Sequence, residues 1–174
     1  MTAAINYRRF SMLFLLLILS GCGYHLTNSG SERFSAGQQI WVPFIGNESV
    51  SPSAQTVLRR ALYDECHALR GLVPSESEGA ASLIVKGKLL SFGSGAVAYS
   101  AADQVRSLRL NISVELELSR KGETVPLWKG VLSASKDYQA DSDLALQRNA
   151  EESALDAAGR IMAQKFISAS ERSY

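Results

Sequence analysis

The chain has 174 residues, of which 46% are hydrophobic and 20% are charged. Its 18 basic and 17 acidic side chains nearly cancel. A nucleic-acid-binding protein usually carries a basic excess or stripe, so no nucleic-acid partner is expected. The apolar fraction is too high for a disordered chain. Two cysteines cannot by themselves form a disulfide framework or a four-ligand zinc site.

The first segment, residues 1–21, has the pattern of an export signal. Arg8 and Arg9 form a positively charged start, and Ser11 is the one polar residue in the run Phe10–Leu19. Ten helical residues span about 15 Å, whereas a bilayer core needs about 20 residues. The run therefore fits the hydrophobic part of a signal peptide better than a membrane-spanning anchor.

The residues that end this segment, Leu19-Ser20-Gly21-Cys22, resemble the bacterial lipobox. The resemblance implies that Cys22 carries diacylglycerol through a thioether and becomes the first residue of the mature protein. Two or three acyl chains on one cysteine would make a stable membrane anchor. Gly23 follows where an Asp commonly marks inner-membrane retention, which implies transfer to the outer membrane. The alternative is an ordinary secretory signal with a chance cysteine.

The rest of the chain reads as a polar tether over 22–37, one domain over 38–170 and a short tail over 171–174. Gln39 to Phe44 predicts a strand that lies at an edge or ends at Pro43, because proline cannot donate to a sheet ladder. Ser51 and Pro52 predict the start of a helix. Its apolar residues recur at steps of three and four, and Gly71 ends it.

Three more strands and a second helix follow. Leu83 to Phe92 predicts a strand, and Gly93-Ser94-Gly95 begins a predicted loop over 93–103. Residues 107–118 alternate apolar and polar without exception, which indicates a strand with one buried and one wet face. A turn at 121–123 leads to a strand over 125–138. Asp141 or Ser142 can cap a final helix that reaches about Ser170 and has Leu144 among its apolar positions.

The element order is therefore β-α-β-β-β-α, which predicts an α+β fold. We expect a two-layer sandwich in which two helices cover one face of a mixed or antiparallel four-stranded sheet. The last three strands should form an antiparallel meander. The polar face of the strand over 107–118 should stay open to solvent or to a partner.

The sequence contains few residues or motifs that could support catalysis. The sequence contains no CxxC, HExxH, P-loop or GxSxG motif, and its two histidines are His25 and His67. His67 fits a helix-surface position better than a catalytic base. Glu115 with Glu117, and Glu151 with Glu152, are possible carboxylate pairs, but solvated faces explain them more simply. We therefore expect no enzyme activity, no metal and no cofactor.

Basic residues on the strands, at strand ends and at the start of the last helix could instead hold phosphate groups through charge-assisted hydrogen bonds. The candidates are Lys86, Lys88, Arg106, Arg109, Lys129, Lys136 and Arg148. A cluster of them on the open sheet face would suit an anionic glycolipid. The alternative is that these charges pair with Glu115, Glu117 and Asp137 on a solvated surface.

Several segments resemble the LptE family of lipopolysaccharide-assembly lipoproteins. The sharpest is Cys22-Gly23-Tyr24-His25-Leu26. The others, in order, are Val42–Glu48, Arg59–Leu62, the alternating strand 108–118, Leu127-Trp128, and Asp137-Tyr138 before a long helix. The resemblance covers residues 22–170, and the fold that it implies agrees with the element order derived above.

The resemblance implies a lipid-anchored protein on the periplasmic side of the outer membrane of a Gram-negative bacterium. Such proteins plug the lumen of the large β-barrel LptD, help that barrel to assemble, and bind lipopolysaccharide for its delivery to the outer leaflet. Their ligand contacts rely on basic side chains near strand-connecting loops and the final helix. Arg106, Lys136 and Arg148 lie nearest to those places here. The alternative functions are a free-standing envelope scaffold or binding module and, less expected, a lipid-anchored hydrolase.

Overall fold

The computed structural model describes residues 34–47 and 53–172. Cys22, most of the expected tether and the expected helix start at Ser51 and Pro52 lie outside these ranges. The elements in chain order are β1 (Gln39–Trp41), β2 (Gly46–Asn47), α1 (Ala54–Arg70), β3 (Val73–Pro74), β4 (Leu83–Tyr99), β5 (Val105–Arg120), β6 (Trp128–Gln139) and α2 (Leu144–Arg172). No helix in the described part is long and apolar enough to cross a membrane.

The strands form one mixed sheet in the order β3-β1-β4-β5-β6, with β2 also paired to β4. β4, β5 and β6 form the expected antiparallel meander. β1 lies parallel to both β3 and β4, and β2 lies parallel to β4. The sheet has two strands more than the sequence predicts, because β2 and β3 are only two residues long and carry no periodic pattern. β1 ends at Trp41, two positions before Pro43.

The alternation along β5 is confirmed. Its buried residues all lie on the helix-covered side of the sheet: Leu110, Ile112, Val114, Leu116 and Leu118. Side chains of a strand alternate between the two faces. The intervening polar residues, from Arg109 to Glu117, therefore lie on the other side. The two-layer α+β architecture is confirmed, and β5 is the described strand with the most buried residues.

The predicted loop over 93–103 is wrong for most of its length. β4 continues through Gly93, Ser94 and Gly95, which pair with residues 109–111 of β5, and ends at Tyr99. The pairing shifts by one residue after Leu89 and again after Ala96, so β4 carries bulges at these points. Glycines weaken an isolated strand, but here the partner β5 supplies a continuous ladder for them. Only residues 100–104 form the turn.

The two helices pack on each other and on the meander. α1 ends as expected at Gly71, whose φ of 63° lies in the left-handed region that glycine adopts readily. Gly159 of α2 lies against α1, where an added Cβ would be 3.5 Å from the Cβ of Ala61. Two exposed ion pairs, Arg60–Asp156 and Arg70–Glu171, also join the helices.

The start of α2 differs from the sequence prediction in two ways. Asp143, rather than Asp141 or Ser142, caps the helix, because its Oδ1 accepts the backbone N–H of Ala145 at 2.7 Å. Leu144 is not a core residue, since 82% of its surface is exposed. The first buried residues of α2 are Ala154 and Leu155, so its first two turns bury no side chain in the core.

Candidate functional site

The sheet face opposite the helices is polar. We call it the open face. The register places the following residues on it: Lys86, Lys88, Ser91, Gly93 and Gly95 of β4; Ser107, Arg109, Asn111, Ser113, Glu115 and Glu117 of β5; and Lys129, Val131, Ser133, Ser135, Asp137 and Gln139 of β6. Its charged residues occupy the two ends of the strands. Serine, glycine and asparagine occupy the middle.

At one end of the open face, Lys129 lies between two carboxylates. Its Nζ is 2.8 Å from an oxygen of Glu115 and 3.4 Å from one of Glu117. The hydrogen bond from Lys129 holds the pKa of Glu115 below its usual value. The two carboxylates in turn raise the pKa of Lys129. These contacts therefore favour the ionised forms of Glu115 and Lys129.

Arg109 and Asp137 form a second pair further along the same face. The guanidinium donates from Nε and Nη2 to the two carboxylate oxygens of Asp137, at 2.5 Å and 2.8 Å. This fork-shaped contact lowers the pKa of Asp137 and raises that of Arg109. For Arg109 and Lys129, the alternative considered from sequence, pairing with acidic neighbours, is confirmed.

The middle of the open face carries only short side chains. Ser91, Ser113 and Ser133 lie side by side across β4, β5 and β6, followed by Gly93, Asn111 and Ser135. The Oγ atoms of Ser133 and Ser113 are 3.4 Å apart. Short hydroxyl and amide groups give a polar surface that another polar wall can approach closely.

A groove of about 680 Å³ lies at the end of the sheet where the β4–β5 turn meets the start of α2. Its lining combines amide, carboxylate, hydroxyl and cationic groups with three aliphatic side chains: Gln104, Val105, Arg106, Leu108, Gln139, Ala140, Asp141, Ser142 and Gln147. Five large apolar side chains near this end are at least 40% exposed: Val97, Tyr99, Val105, Leu144 and Leu146. The groove could therefore contact both polar and apolar parts of a ligand.

The three basic residues singled out from sequence lie near this end of the molecule but not on the open face. Arg106 is the extra residue of a bulge opposite β4, and it lines the groove. Lys136 pairs with Leu110, so it lies on the helix side of the sheet. Arg148 lies in the second turn of α2 and is exposed. The expectation of a cationic cluster on the open face is therefore wrong for Arg106 and Lys136, because strand register decides the face.

Sequence reasoning missed the polar groove residues Gln104, Gln139, Asp141 and Gln147. They come from a turn, a strand end and a helix start that are up to 43 positions apart. The Oε1 of Gln147 accepts the backbone N–H of Asp141 at 2.7 Å, which ties the helix to the chain that precedes it. No local sequence pattern predicts that these residues line one groove, because only the antiparallel topology brings their segments together.

The side chains considered for catalysis or metal binding, those of His67 and Cys66, are hydrogen-bonded or buried within the fold. Nδ1 of His67 is 3.0 Å from the carbonyl oxygen of Leu72, to which it donates at the end of α1. Cys66 is buried, and burial together with the neighbouring Glu65 raises the pKa of its thiol to about 12. Residues 34–47 and 53–172 contain no group of three or more His, Cys, Asp or Glu side chains that could hold a metal ion.

A sheet covered by two helices on one side and left polar on the other defines a two-layer α+β domain. The family model for LptE, described as lipopolysaccharide-assembly, matches residues 37–170. The chain therefore belongs to the LptE family, and the resemblance found in the sequence is confirmed over this range. No curated protein sequence matches the chain.

Solved structures share the fold at low sequence identity. A candidate lipoprotein from Caulobacter crescentus superposes with a TM-score of 0.53 at 17% identity, over 72% of this chain and 87% of that one. A hypothetical protein from Chlamydia trachomatis gives 0.52 at 10% identity, over 76% and 95%. The rare lipoprotein B of Shewanella oneidensis gives 0.50 at 15% identity, over 75% and 92%. Similarities this distant establish the architecture alone.

Proposed function

We propose that the chain is an outer-membrane lipoprotein that plugs a large LptD-like β-barrel, assists its assembly, and binds lipopolysaccharide for transport to the outer leaflet. The observation that carries this proposal is the family match over 37–170. The signal pattern over 1–21 and the lipobox ending in Cys22 support the lipid anchor. The anchor would hold the domain at the periplasmic surface of the outer membrane.

The open face supports the plug. The lumen of a large outer-membrane barrel is polar, so a protein that fills it needs a polar surface without large unpaired charge. Arg109 and Lys129 are both paired with carboxylates within the chain, and the middle of the face carries only short side chains. Such a surface can lie against a polar wall through hydrogen bonds and trapped water.

The groove beside Arg106 supports lipopolysaccharide binding. Lipopolysaccharide combines phosphate groups with acyl chains. Phosphate groups form strong charge-assisted hydrogen bonds with guanidinium groups. Arg106 supplies such a group in the groove, and Lys136 and Arg148 would extend the basic surface. The exposed side chains of Leu144 and Leu146, 82% and 55% accessible, offer apolar contacts at the same end.

The test is affinity purification of the full chain from detergent-solubilised outer membranes, with a tag after Tyr174 and mass spectrometry of what remains bound. A large β-barrel recovered at one copy per chain would support the plug. Recovery of the acylated chain by itself, at normal expression, would contradict the plug and favour a free-standing envelope module. Mass measurement of the purified chain checks lipidation of Cys22 independently.

A further inference from the structure

The outer edge of β6 carries a row of backbone groups that point away from the sheet. β6 is the last strand in the sheet order among the described residues. The N–H of Ala140 donates to the carbonyl of Arg106 at 3.0 Å, so the even-numbered residues of β6 bond to β5. In an antiparallel pair the alternate residues direct their N–H and C=O outward. These are the odd-numbered residues from Lys129 to Gln139.

Such an edge is a template for another strand. β6 contains no proline, so each outward residue has an N–H to donate. One of its outward carbonyls accepts a hydrogen bond from the final helix. Nζ of Lys165, from α2, donates to the carbonyl oxygen of Ser133 at 2.7 Å. Lysines at a strand edge discourage further pairing. The contact made by Lys165 is at the centre of β6.

The two charged residues of β6 on the open face lie at equal distances from Ser133 and have opposite signs. Lys129 lies four residues before it, and Asp137 lies four residues after it. In an antiparallel pair centred on Ser133, each Lys129 would face the Asp137 of the other copy, and Val131 would face Ser135. Across the four strands at each end, the charges would then run Glu117, Lys129, Asp137, Arg109, with alternating sign.

We propose that, when the chain is outside a barrel, the outer edge of its β6 pairs with the same edge of a second copy, antiparallel and centred on Ser133. The contact is isologous, so the two sheets join into one and the edge is closed. The charge pattern specifies both the register and the partner, because opposite charges meet only when residue 129 faces residue 137. Lys165 competes for the central carbonyl and keeps the contact reversible.

The test uses the full acylated chain in detergent, with a cysteine introduced at one position at a time and a short thiol-to-thiol cross-linker. Ser133→Cys places two thiols across the two-fold axis, at Cβ atoms about 5.5 Å apart. Ser113→Cys, on the neighbouring strand of the same face, places them about 14 Å apart. Ser135→Cys tests the register, because its partner would be Val131. The native Cys66 is buried and serves as a common background.

We expect Ser133→Cys to give a cross-linked dimer, and the other two variants to give little. In equilibrium sedimentation, Lys165→Ala should strengthen dimerisation by roughly tenfold, which corresponds to the loss of one competing charge-assisted hydrogen bond. High salt should weaken it by screening the Lys129–Asp137 contacts. Equal cross-linking at 133 and 113, or a chain that remains monomeric with Lys165→Ala, would overturn the proposal. Preferential cross-linking at 135 would overturn its register.

Discussion

Gly87 of β4 lies directly opposite Leu116 of β5, and a Cβ added to Gly87 would be 2.7 Å from Cδ2 of the leucine. Leu116 is fully buried, and Ile45 would be 3.5 Å from the same added atom. The core therefore packs closely against a glycine of β4, the central strand in the sheet order. This contact explains why the regular apolar alternation seen along β5 is interrupted in β4.

Gly87→Ala should lower the free energy of unfolding by about 1–3 kcal/mol, because the added methyl forces a buried leucine from its place. Gly93→Ala is the matched control on the same strand, where an added Cβ meets nothing within 4 Å. Urea unfolding followed by tryptophan fluorescence measures both. Equal stability of the two variants would show that Leu116 relaxes without cost.

The thiol of Cys66 should be inert in the folded protein. Its pKa of about 12 keeps it protonated at pH 8.5, whereas an unfolded cysteine near its ordinary value of 9.0 is partly ionised. A folded-state pKa that is raised stabilises the fold below pH 9, and this contribution is lost as the pH rises towards 12. A colorimetric thiol reagent should react with Cys66 only after urea is added. Rapid reaction of the native chain would contradict its burial.

Replacement of Lys129 should be visible in the titration of Glu115. Lys129→Met removes the hydrogen bond and the charge that lower the pKa of Glu115, so that pKa should rise. NMR titration of the carboxylates measures the change. In the native chain, a lowered carboxylate pKa adds stability above the ordinary value of 4.5 that is lost as the pH falls through the folded value. The group is exposed, so the effect on unfolding should be small. An unchanged Glu115 titration would exclude the contact with Lys129.

The groove end should bind lipopolysaccharide through its basic residues. Arg106→Ala, Lys136→Ala and Arg148→Ala should each weaken binding by about two- to tenfold, because one charge-assisted contact with phosphate is lost. Arg160→Ala is the control, since Arg160 is 70% exposed on α2 but lies beside Glu65 of α1, where the two helices pack together. Binding of labelled lipopolysaccharide by the purified chain is the measurement. An equal loss with Arg160→Ala would indicate non-specific charge attraction.

Lipidation should depend on Cys22. Cys22→Ala should abolish incorporation of a labelled fatty acid and release the chain from the membrane fraction, because the acyl chains supply the membrane affinity. Ser20→Ala should leave labelling unchanged, since small residues of either kind fit before the cysteine. Persistent membrane association of Cys22→Ala without label would place the anchor elsewhere in the chain.

Local sequence patterns predicted much of the fold. The alternation over 107–118 identified β5 and its buried face, and the spacing of apolar residues with Gly71 identified α1 and its end. These features depend on residues within one element. The spacing of apolar residues in the sequence therefore predicts them. The element order and the two-layer arrangement follow from them. The family resemblance came from short motifs whose order and spacing along the chain are similar to those of the family.

Other features depended on tertiary pairing. Gly93, Ser94 and Gly95 extend β4 because β5 offers them a ladder, although their own propensity favours a loop. Bulges and register place Lys136 beside Leu110 on the helix side, and Arg106 in the groove. The residues that line this groove come from three separate segments. The sequence by itself determined the elements and the class of fold, because periodicity is local. Only the tertiary structure decided which face each charge occupies, because a shift of one residue in strand pairing moves every side chain to the opposite side.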